Sequence, residues 1–458
     1  MSKIIEKFKY EITKNFNFIF HHKIGIAVSG GPDSVALLLL FYSIKELRDR
    51  LVVLHFDHRL RKSSSEDREF VKNLAKGLRL SFLAGSQDVE SFHINAKLSL
   101  EEAARIARYD FFEHAAKIAS LDYIALAHNA DEQAETILLR ITRGSGLTGL
   151  SGIPGKRGIF IRPLLSFPKS DLIAFLNEKN QSYSVDPTNS DTKITRNYIR
   201  AYALPVLKKL NPNLPVTIYR SSVLLSKENE FINNRMLELL KFFNRRADFW
   251  EIRQEVFLDF EEVLRFRLIN FLYMKVTGSF YNPPLNFTEN CMRVTEKVNG
   301  MSSYNSFKMV VSCGYIAFMR EKERFSVDME MNIGNKVRVD SVTLKADYHK
   351  KSELFCRYDY EKNSNTLYFD LHKTKGKIYL RNIKNGDRFI PFGHNSPVKV
   401  FRFLMKKKIP SYFRDFVYAL CDREGIIAIV PVQIAGRVKT DTESKKIIKI
   451  DWEIRSLL

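Results

Sequence analysis

The segment Ser29-Gly30-Gly31-Pro32-Asp33-Ser34 constrains the fold of this chain more than any other stretch. It lies between the apolar run Ile24-Gly25-Ile26-Ala27-Val28 and a leucine-rich run over 35–41 that is too long for a loop. That order predicts strand, glycine turn, helix start. Glycines let the backbone approach a ligand without side-chain interference. The following helix turns its unpaired N–H groups and positive dipole end toward whatever sits in the turn. An anion suits that place, phosphate foremost, and Ser29 and Ser34 add hydroxyls that can donate to it. The bland alternative is a tight strand–helix connection with no ligand. A loop of the type Gly-x4-Gly-Lys-Ser/Thr occurs nowhere in the sequence.

The first half alternates short apolar runs (24–28, 51–56, 80–83 and 123–127) with helical patterns, which predicts a doubly wound parallel sheet in an α/β domain. Such sheets bind ligands at the carboxyl ends of their strands. The glycine loop, the His55-Phe56-Asp57-His58 segment and the stretch from His128 to Asp131 all fall there, which argues for one site. With 458 residues the chain has room for about three domains. The α/β pattern stops near Leu210, and Asn211-Pro212-Asn213-Leu214-Pro215 reads as a linker. The expected division is an N-terminal α/β domain over 1–212, a mostly helical middle domain over 213–330 and a β-rich α+β domain over 331–458. Leu237, Leu239, Leu240, Phe242 and Phe243 carry the helical spacing of the middle. Strand signals lie at 309–311, 315–319, 426–432 and 447–450, with Arg423-Glu424-Gly425 as a hairpin turn.

Composition narrows the function classes. The longest uncharged apolar run, 35–42, is far short of a membrane span, and residues 1–15 lack a signal-peptide core. No membrane association and cytoplasmic residence are expected. The cysteines (Cys291, Cys313, Cys356, Cys421) are scattered, offering neither a disulfide framework nor a Cys-x-x-Cys metal site. A net charge of +21 favours a polyanionic partner, nucleic acid first. Over 379–410 there are eight Lys/Arg and one acidic residue, a third of that surplus. If 398–407 is helical, Lys399, Arg402 and Lys406 share one face while Phe401, Leu404 and Met405 pack. Arg381 and Arg388 flank a Gly386-Asp387 turn. Such a stripe neutralises phosphates without reading sequence.

The chemistry-bearing residues fall into a few groups. Asp33 faces the place of the phosphates, where a carboxylate makes sense through a bridging Mg²⁺; a helix-capping aspartate is the alternative. His55, Asp57 and His58 close the second strand, where nucleoside recognition suits them better than a zinc site. In His128-Asn129-Ala130-Asp131-Glu132-Gln133-Ala134-Glu135-Thr136, Asn129 and Glu132 fit a capping box. Asp131 and Glu135 share a helix face, and like charges at that spacing predict a cation between them: a substrate ammonium or a metal. A solvated acidic face is the alternative. Gly144-Ser145-Gly146-Leu147-Thr148-Gly149 matches the dinucleotide pattern, yet it follows a helix rather than a strand. It reads instead as a flexible loop, with Arg143 beside it, that meets a substrate backbone. Ser99-Leu100-Glu101-Glu102 caps a helix bearing Arg105, Arg108 and Tyr109. Arg196 and Arg200 follow Asp186-Pro187-Thr188-Asn189, and arginine suits phosphate and carboxylate alike.

The loop over 29–34 resembles the pyrophosphate (PP) loop of the ATP-pyrophosphatases, which split ATP between its α and β phosphates and adenylate a substrate. Together with the His55 to His58 segment, the 128–136 motif, Arg143 to Gly146, Arg162-Pro163-Leu164 and the 186–200 stretch, it resembles the tRNA(Ile)-lysidine synthetase branch. The likeness is close over about 20–205, moderate at the C-terminus and only positional between. It implies adenylation of the C2 oxygen of the wobble cytidine in an isoleucine tRNA with anticodon CAU, then displacement of AMP by free L-lysine. It implies ATP held by Ser29, Gly30, Gly31, Pro32, Asp33, Ser34, His55 and Asp57, with Mg²⁺ on Asp33. Catalysis would rest on Asp33, His128, Asp131 and Glu135, and lysine on Asp131, Glu132, Glu135 and Arg200. Glu132 stands where an aspartate is usual, which puts its reach in doubt. Arg105, Arg108, Arg143, Arg196, Arg381, Arg388, Lys399, Arg402 and Lys406 would meet tRNA. A homodimer is a candidate assembly. The rivals are another tRNA-modifying enzyme of the loop family, such as a thiolase, which needs a cysteine pair; an NAD or GMP synthetase; and an ATP-regulated RNA-binding protein without turnover.

Overall fold

The computed structural model describes residues 2–59, 64–96, 99–184, 195–246, 248–279, 281–322, 326–349 and 364–454. The Asp186-Pro187-Thr188-Asn189 segment and Cys356 lie outside them. The chain forms two compact units, Met1–Phe231 and Ile232–Leu458.

In the first unit, strands β1 (Ile24–Ala27), β2 (Leu51–Asp57), β3 (Ser81–Ser86), β4 (Tyr123–Ala125), β5 (Lys156–Arg157) and β6 (Phe160–Ile161) make a sheet of order β3-β2-β1-β4-β6-β5. All pairings are parallel except β5 with β6. Helices α1 (Lys3–Asn15), α2 (Pro32–Ser43), α3 (Ser64–Gly77), α4 (Val89–Ala96), α5 (Leu100–Ala119), α6 (Ala130–Thr142), α7 (Leu147–Leu150), α8 (Lys169–Glu178), α9 (Thr195–Tyr198), α10 (Leu204–Leu210) and the part of α11 (Leu214–Glu238) up to Phe231 complete it. The near-continuous apolar run of β2 is what a strand covered on both faces requires; Leu51 to Phe56 are buried. Helix α1 buries Ile5, Phe8 and Ile12, one apolar stripe at helical spacing. Phe8 packs edge-on against Phe41 of α2 at 5.2 Å between ring centres. Gly25 lets β1 and β2 come together, because a Cβ there would lie 2.6 Å from the Leu54 side chain.

The strand order reverses at β1, between β2 and β4. A crevice opens at such a reversal, beyond the carboxyl ends of the strands. The predicted strand over 123–127 ends at Ala125, leaving 126–128 as a connection leading into α6. The short β5–β6 pair was not legible, since two-residue strands carry no period. The 211–215 linker is a tight turn between α10 and α11, and Pro215 sits in the first turn of α11, where its missing N–H costs nothing.

In the second unit, α11 is followed by β7 (Asn244–Arg245), β8 (Phe249–Arg253), α12 (Gln254–Leu258), α13 (Glu262–Thr277), α14 (Leu285–Thr295), β9 (Gly300–Tyr304), β10 (Phe307–Ser312) and β11 (Tyr315–Arg320). The helices give the middle stretch its helical character, and the strands form an antiparallel sheet of order β7-β8-β11-β10-β9. Strand β8 escaped sequence reading because it lies within a charged, helix-spaced stretch. After it come β12 (Asp328–Glu330), β13 (Lys336–Val339), β14 (Val342–His349), β15 (Ser364–Asp370), β16 (Tyr379–Asn382), β17 (Arg388–Phe389), β18 (Val398–Lys399), α15 (Val400–Lys406), β19 (Tyr418–Asp422), β20 (Gly425–Val430), β21 (Gln433–Ile434) and β22 (Ile447–Ile454). They form sheets of order β12-β16-β19-β20-β21 and β13-β14-β22-β15 and a β17-β18 pair. Arg423-Glu424 does form the hairpin turn between β19 and β20. Phe249, Val310 and Ala317 share one buried cluster with Leu344, Phe413, Ile427 and Trp452. The helix predicted over 398–407 starts at Val400, Phe403 and Leu404 pack inward, and Met405 is 61% exposed rather than packed.

Candidate active site

The glycine loop is built from its own side chains. Gly30 adopts φ +99°, a conformation that other residues rarely hold. Its carbonyl accepts from the Ser184 backbone N–H at 2.9 Å. Pro32 opens α2 with its fixed φ. The buried Ser34 hydroxyl donates to the Gly31 carbonyl (2.9 Å) and accepts from the Ser29 backbone N–H (3.1 Å). The Ser29 hydroxyl lies 3.2 Å from it. Ser34 therefore staples the loop that Ser29 and the first turn of α2 present.

Asp33 stands in that first turn. Its Oδ1 is buried with no hydrogen-bond partner, and its Oδ2 lies 3.6 Å from the Lys169 ammonium. Burial pushes its carboxyl above the ordinary range, opposed by Lys169. Among the described residues no group of three or more His, Cys, Asp or Glu stands ready for a metal. Mg²⁺ on a nucleotide needs only one or two carboxylates beside the phosphates, and the orphaned Asp33 oxygen fits that demand.

A cavity of about 350 Å³ opens beside the loop. Its floor is apolar (Ala27, Leu54, Phe56, Phe112, Leu126) and its rim polar (Ser29, Asp33, His55, Asp57, Arg108, Glu132). His55 Nδ1 lies 2.9 Å from the Val28 carbonyl, while Nε2 is buried without a partner. A neutral ring donating from Nδ1 leaves Nε2 as an acceptor. Burial lowers the His55 pKa in keeping with that state. His58 is pushed down to about 4 by burial and by Arg108. His128 is pushed down to about 3, by burial and then by Arg162, Arg108, Arg196 and Arg105. All three imidazoles are neutral at pH 7.

Helix α6 distributes its acids. Asn129 caps it, accepting from the Glu132 backbone N–H at 3.0 Å. Asp131 accepts from the Lys208 ammonium (2.5 Å) and from the Lys169 backbone N–H at the start of α8 (2.8 Å). Glu135, only 2% exposed, is gripped by Arg196 Nε (2.9 Å) and by Arg200 through Nε (2.6 Å) and a terminal nitrogen (3.0 Å). Arg200 lies in a π-helical stretch, Ile199–Ala203. Such bulges often mark functional sites. The cation expected between Asp131 and Glu135 is thus supplied by the chain's own Lys208, Arg196 and Arg200. Glu132 is the member of the trio that lines the cavity, 3.8 Å from Arg196, with its carboxyl raised by burial.

The basic residues also divide. Arg105 lies over the Tyr109 ring, 5.6 Å from its centre, and is exposed, as is Arg143. Arg108 turns into the cavity wall. Arg381 is held bidentate by Asp387 at 2.7 and 2.9 Å, whereas Arg388, Lys399, Arg402 and Lys406 are exposed. The Gly144 to Gly149 stretch is not the flexible loop expected: it contains α7, and Arg140 donates to the carbonyls of Gly149 and Gly152. Lys169, Lys208, Arg59 and Asp67 escaped sequence reading. Lys169 left one faint signal, since a lysine in a first helical turn opposes the dipole.

Comparison with known proteins gives the chain a family. A family profile described as the PP-loop domain matches residues 4–207. The tRNA(Ile)-lysidine synthase of Thermotoga sp. strain RQ2 is 31% identical, over 89% of this chain and 90% of that one. The chain belongs to the tRNA(Ile)-lysidine synthase family, ATP-using ligases of tRNA processing. The family's Clostridium perfringens member is 29% identical over 94% of this chain and 95% of its own. Among solved structures, the tRNA thiolase NcsA from Methanococcus maripaludis overlaps 48% of this chain and 80% of that one, with TM-score 0.42 and 14% identity. No helix among the described residues is long and apolar enough to cross a membrane.

Proposed function

We propose that this lysidine synthase family member adenylates the C2 oxygen of the wobble cytidine in CAU-anticodon isoleucine tRNA and then joins free L-lysine to C2. The observation that carries the reading is the buried, unpartnered Asp33 oxygen at the stapled loop, with Glu132 on the same cavity wall. The adenosine half of ATP fits the apolar floor, His55 Nε2 accepting from it and Asp57 at the rim. The phosphates meet Ser29, Gly30, Gly31 and Ser34 and the start of α2. Mg²⁺ held by Asp33 would neutralise charge on the departing pyrophosphate. Neutral His128 offers hydrogen bonds beside the α-phosphate.

Cytosine O2 is a poor leaving group, and adenylation turns it into AMP. In the second step the lysine amine attacks C2, the C2–O bond breaks toward AMP, and the amine gives up a proton. In this reading Glu132 holds the ammonium and takes that proton, supported by its position in the cavity lining and its raised carboxyl. Glu135 orients Arg200 for the lysine carboxylate, and Asp131 fixes the start of α8. Residues 1–212 carry the ATP chemistry. The stretches over 213–330 and 331–458 carry tRNA contacts, with Arg388, Lys399, Arg402 and Lys406 as phosphate ligands, and Arg105 and Arg143 meet tRNA from the first unit. Arg381 shapes the Asp387 turn. We place the protein in the cytoplasm, with its tRNA, ATP and lysine. A thiolase is disfavoured because no cysteine occurs in residues 1–231.

The test is ATP-dependent incorporation of radiolabelled lysine into purified tRNA by wild-type protein and Asp33→Ala. Labelling confined to the CAU isoleucine tRNA and lost in the variant is expected. A folded wild-type protein that splits ATP to AMP without labelling any tRNA would overturn the substrate.

A further inference from the structure

Lys169 occupies an electrostatically awkward position. As the first residue of α8, it adds positive charge to the positive end of the helix. Its backbone N–H is tied to Asp131 Oδ2 at 2.8 Å, which fixes the place from which the side chain starts. The ammonium reaches Asp33, where N···O is 3.6 Å, an ion pair too long for a hydrogen bond. Its side chain remains 43% exposed. It does not line the 350 Å³ cavity; it approaches the Asp33 carboxylate from α8. A lysine held this loosely gains little from its neighbour, yet α6 and α8 together bring it to Asp33 in the glycine loop assigned above to phosphate.

We propose that Lys169 is a ligand of the pyrophosphate half of ATP, binding a β- or γ-phosphate oxygen and stabilising the charge that develops as pyrophosphate leaves. This deepens the lysidine-forming reading and rests on it for the identity of the attacking group. The C2 oxygen of cytidine donates an electron pair to the α-phosphorus. The bond from that phosphorus to the α–β bridging oxygen breaks, and its electron pair departs on pyrophosphate. No proton need move in this step, so a fixed cation is the help the leaving group requires. Lysine suits a tripodal phosphate as a point charge on a flexible stem. The alternative source of the same chemistry is a phosphate of the tRNA backbone.

The measurement is product inhibition of the full-length enzyme by inorganic pyrophosphate and, separately, by AMP, for wild type, Lys169→Met and Lys169→Arg. Calorimetric titration with Mg²⁺-pyrophosphate in the absence of tRNA accompanies it. Lys169→Met is expected to weaken pyrophosphate inhibition and binding about tenfold or more, the scale of one charge-assisted hydrogen bond. AMP inhibition should stay within about twofold, which also shows that the variant is folded, and Lys169→Arg should recover most of the loss. Unchanged pyrophosphate inhibition would overturn the assignment. So would a loss confined to the KM for tRNA, which would move the interaction to the tRNA backbone. If wild-type protein binds pyrophosphate through Lys169 but labels no tRNA with lysine, the fault lies in the substrate reading and not in this assignment.

Discussion

At the scale of single residues, the decisive arrangement is the division of labour among three acids on one helix. In sequence Glu135 lies at helical spacing from both Asp131 (i,i+4) and Glu132 (i,i+3), and nothing local says which acid stays available. Packing separates them, because α9, the π-helical stretch after it and α10 bring Arg196, Arg200 and Lys208 into hydrogen bonds with Glu135 and Asp131, and leave Glu132 only the longer 3.8 Å ion pair with Arg196. The acid least favoured from sequence, Glu132, is the one facing the cavity. Its extra methylene, which cast doubt on its reach, adds length toward that space. Removing the charge of Glu135 would leave two guanidiniums side by side. Glu135→Gln is expected to cost about 2 kcal/mol of stability, below the figure for a fully buried pair because a third of each arginine is open to water. Thermal melting checks that figure, and the KM for lysine should rise several-fold while that for ATP changes little. An unchanged lysine KM would remove Arg200 from the lysine site.

At the scale of elements, the loop before α2 was readable because its chemistry is local. A strand must end, a helix must begin, and glycine must stand where φ is positive. Gly30 at +99° meets that last requirement. An alanine there has room, since the nearest atom to its Cβ would be the Ser184 hydroxyl at 3.4 Å. The backbone angle is the obstacle, at about 1–3 kcal/mol. Gly30→Ala should therefore lower the melting temperature by a few degrees and raise the KM for ATP at least tenfold, with the lysine KM little altered. Normal ATP kinetics would show that the loop does not need this conformation to hold phosphate. Helices α5 and α6 were equally legible at their starts, where Ser99 and Asn129 accept from the backbone N–H groups of Glu102 and Glu132. The β5–β6 pair and β8 were not, being too short or too charged to display a period.

At the scale of the whole molecule, the basic surplus has to be sorted by exposure. Arg381 belongs to the expected stripe by sequence, yet Asp387 consumes its fork. Arg388, Lys399, Arg402 and Lys406 remain open to solvent. Truncating the chain at 377 would be a poor test of the stripe, because it removes strands from sheets that also include β12, β13, β14 and β15. Charge substitution leaves the core in place. The triple change Lys399→Ala, Arg402→Ala, Lys406→Ala should weaken tRNA binding and flatten the plot of log affinity against log salt by about one unit of slope for each phosphate no longer neutralised. ATP binding should be unaffected. An unchanged salt slope would exclude these three from the tRNA interface.

The sequence by itself determined what depends on neighbours along the chain, namely the alternation of the α/β half, the phosphate loop and the helix caps, while the reading of ATP chemistry on tRNA came through the family resemblance its motifs carry. The tertiary structure alone decided which charges remain available for that chemistry. Asp131, Glu135 and Arg381 are committed to partners between 6 and 77 residues away, while Glu132 and Lys169 are brought to the site by elements that only folding places side by side. The physical reason is range. Turns and caps are fixed by interactions within a few residues, whereas the pairing of a buried charge depends on which distant segment packs against it.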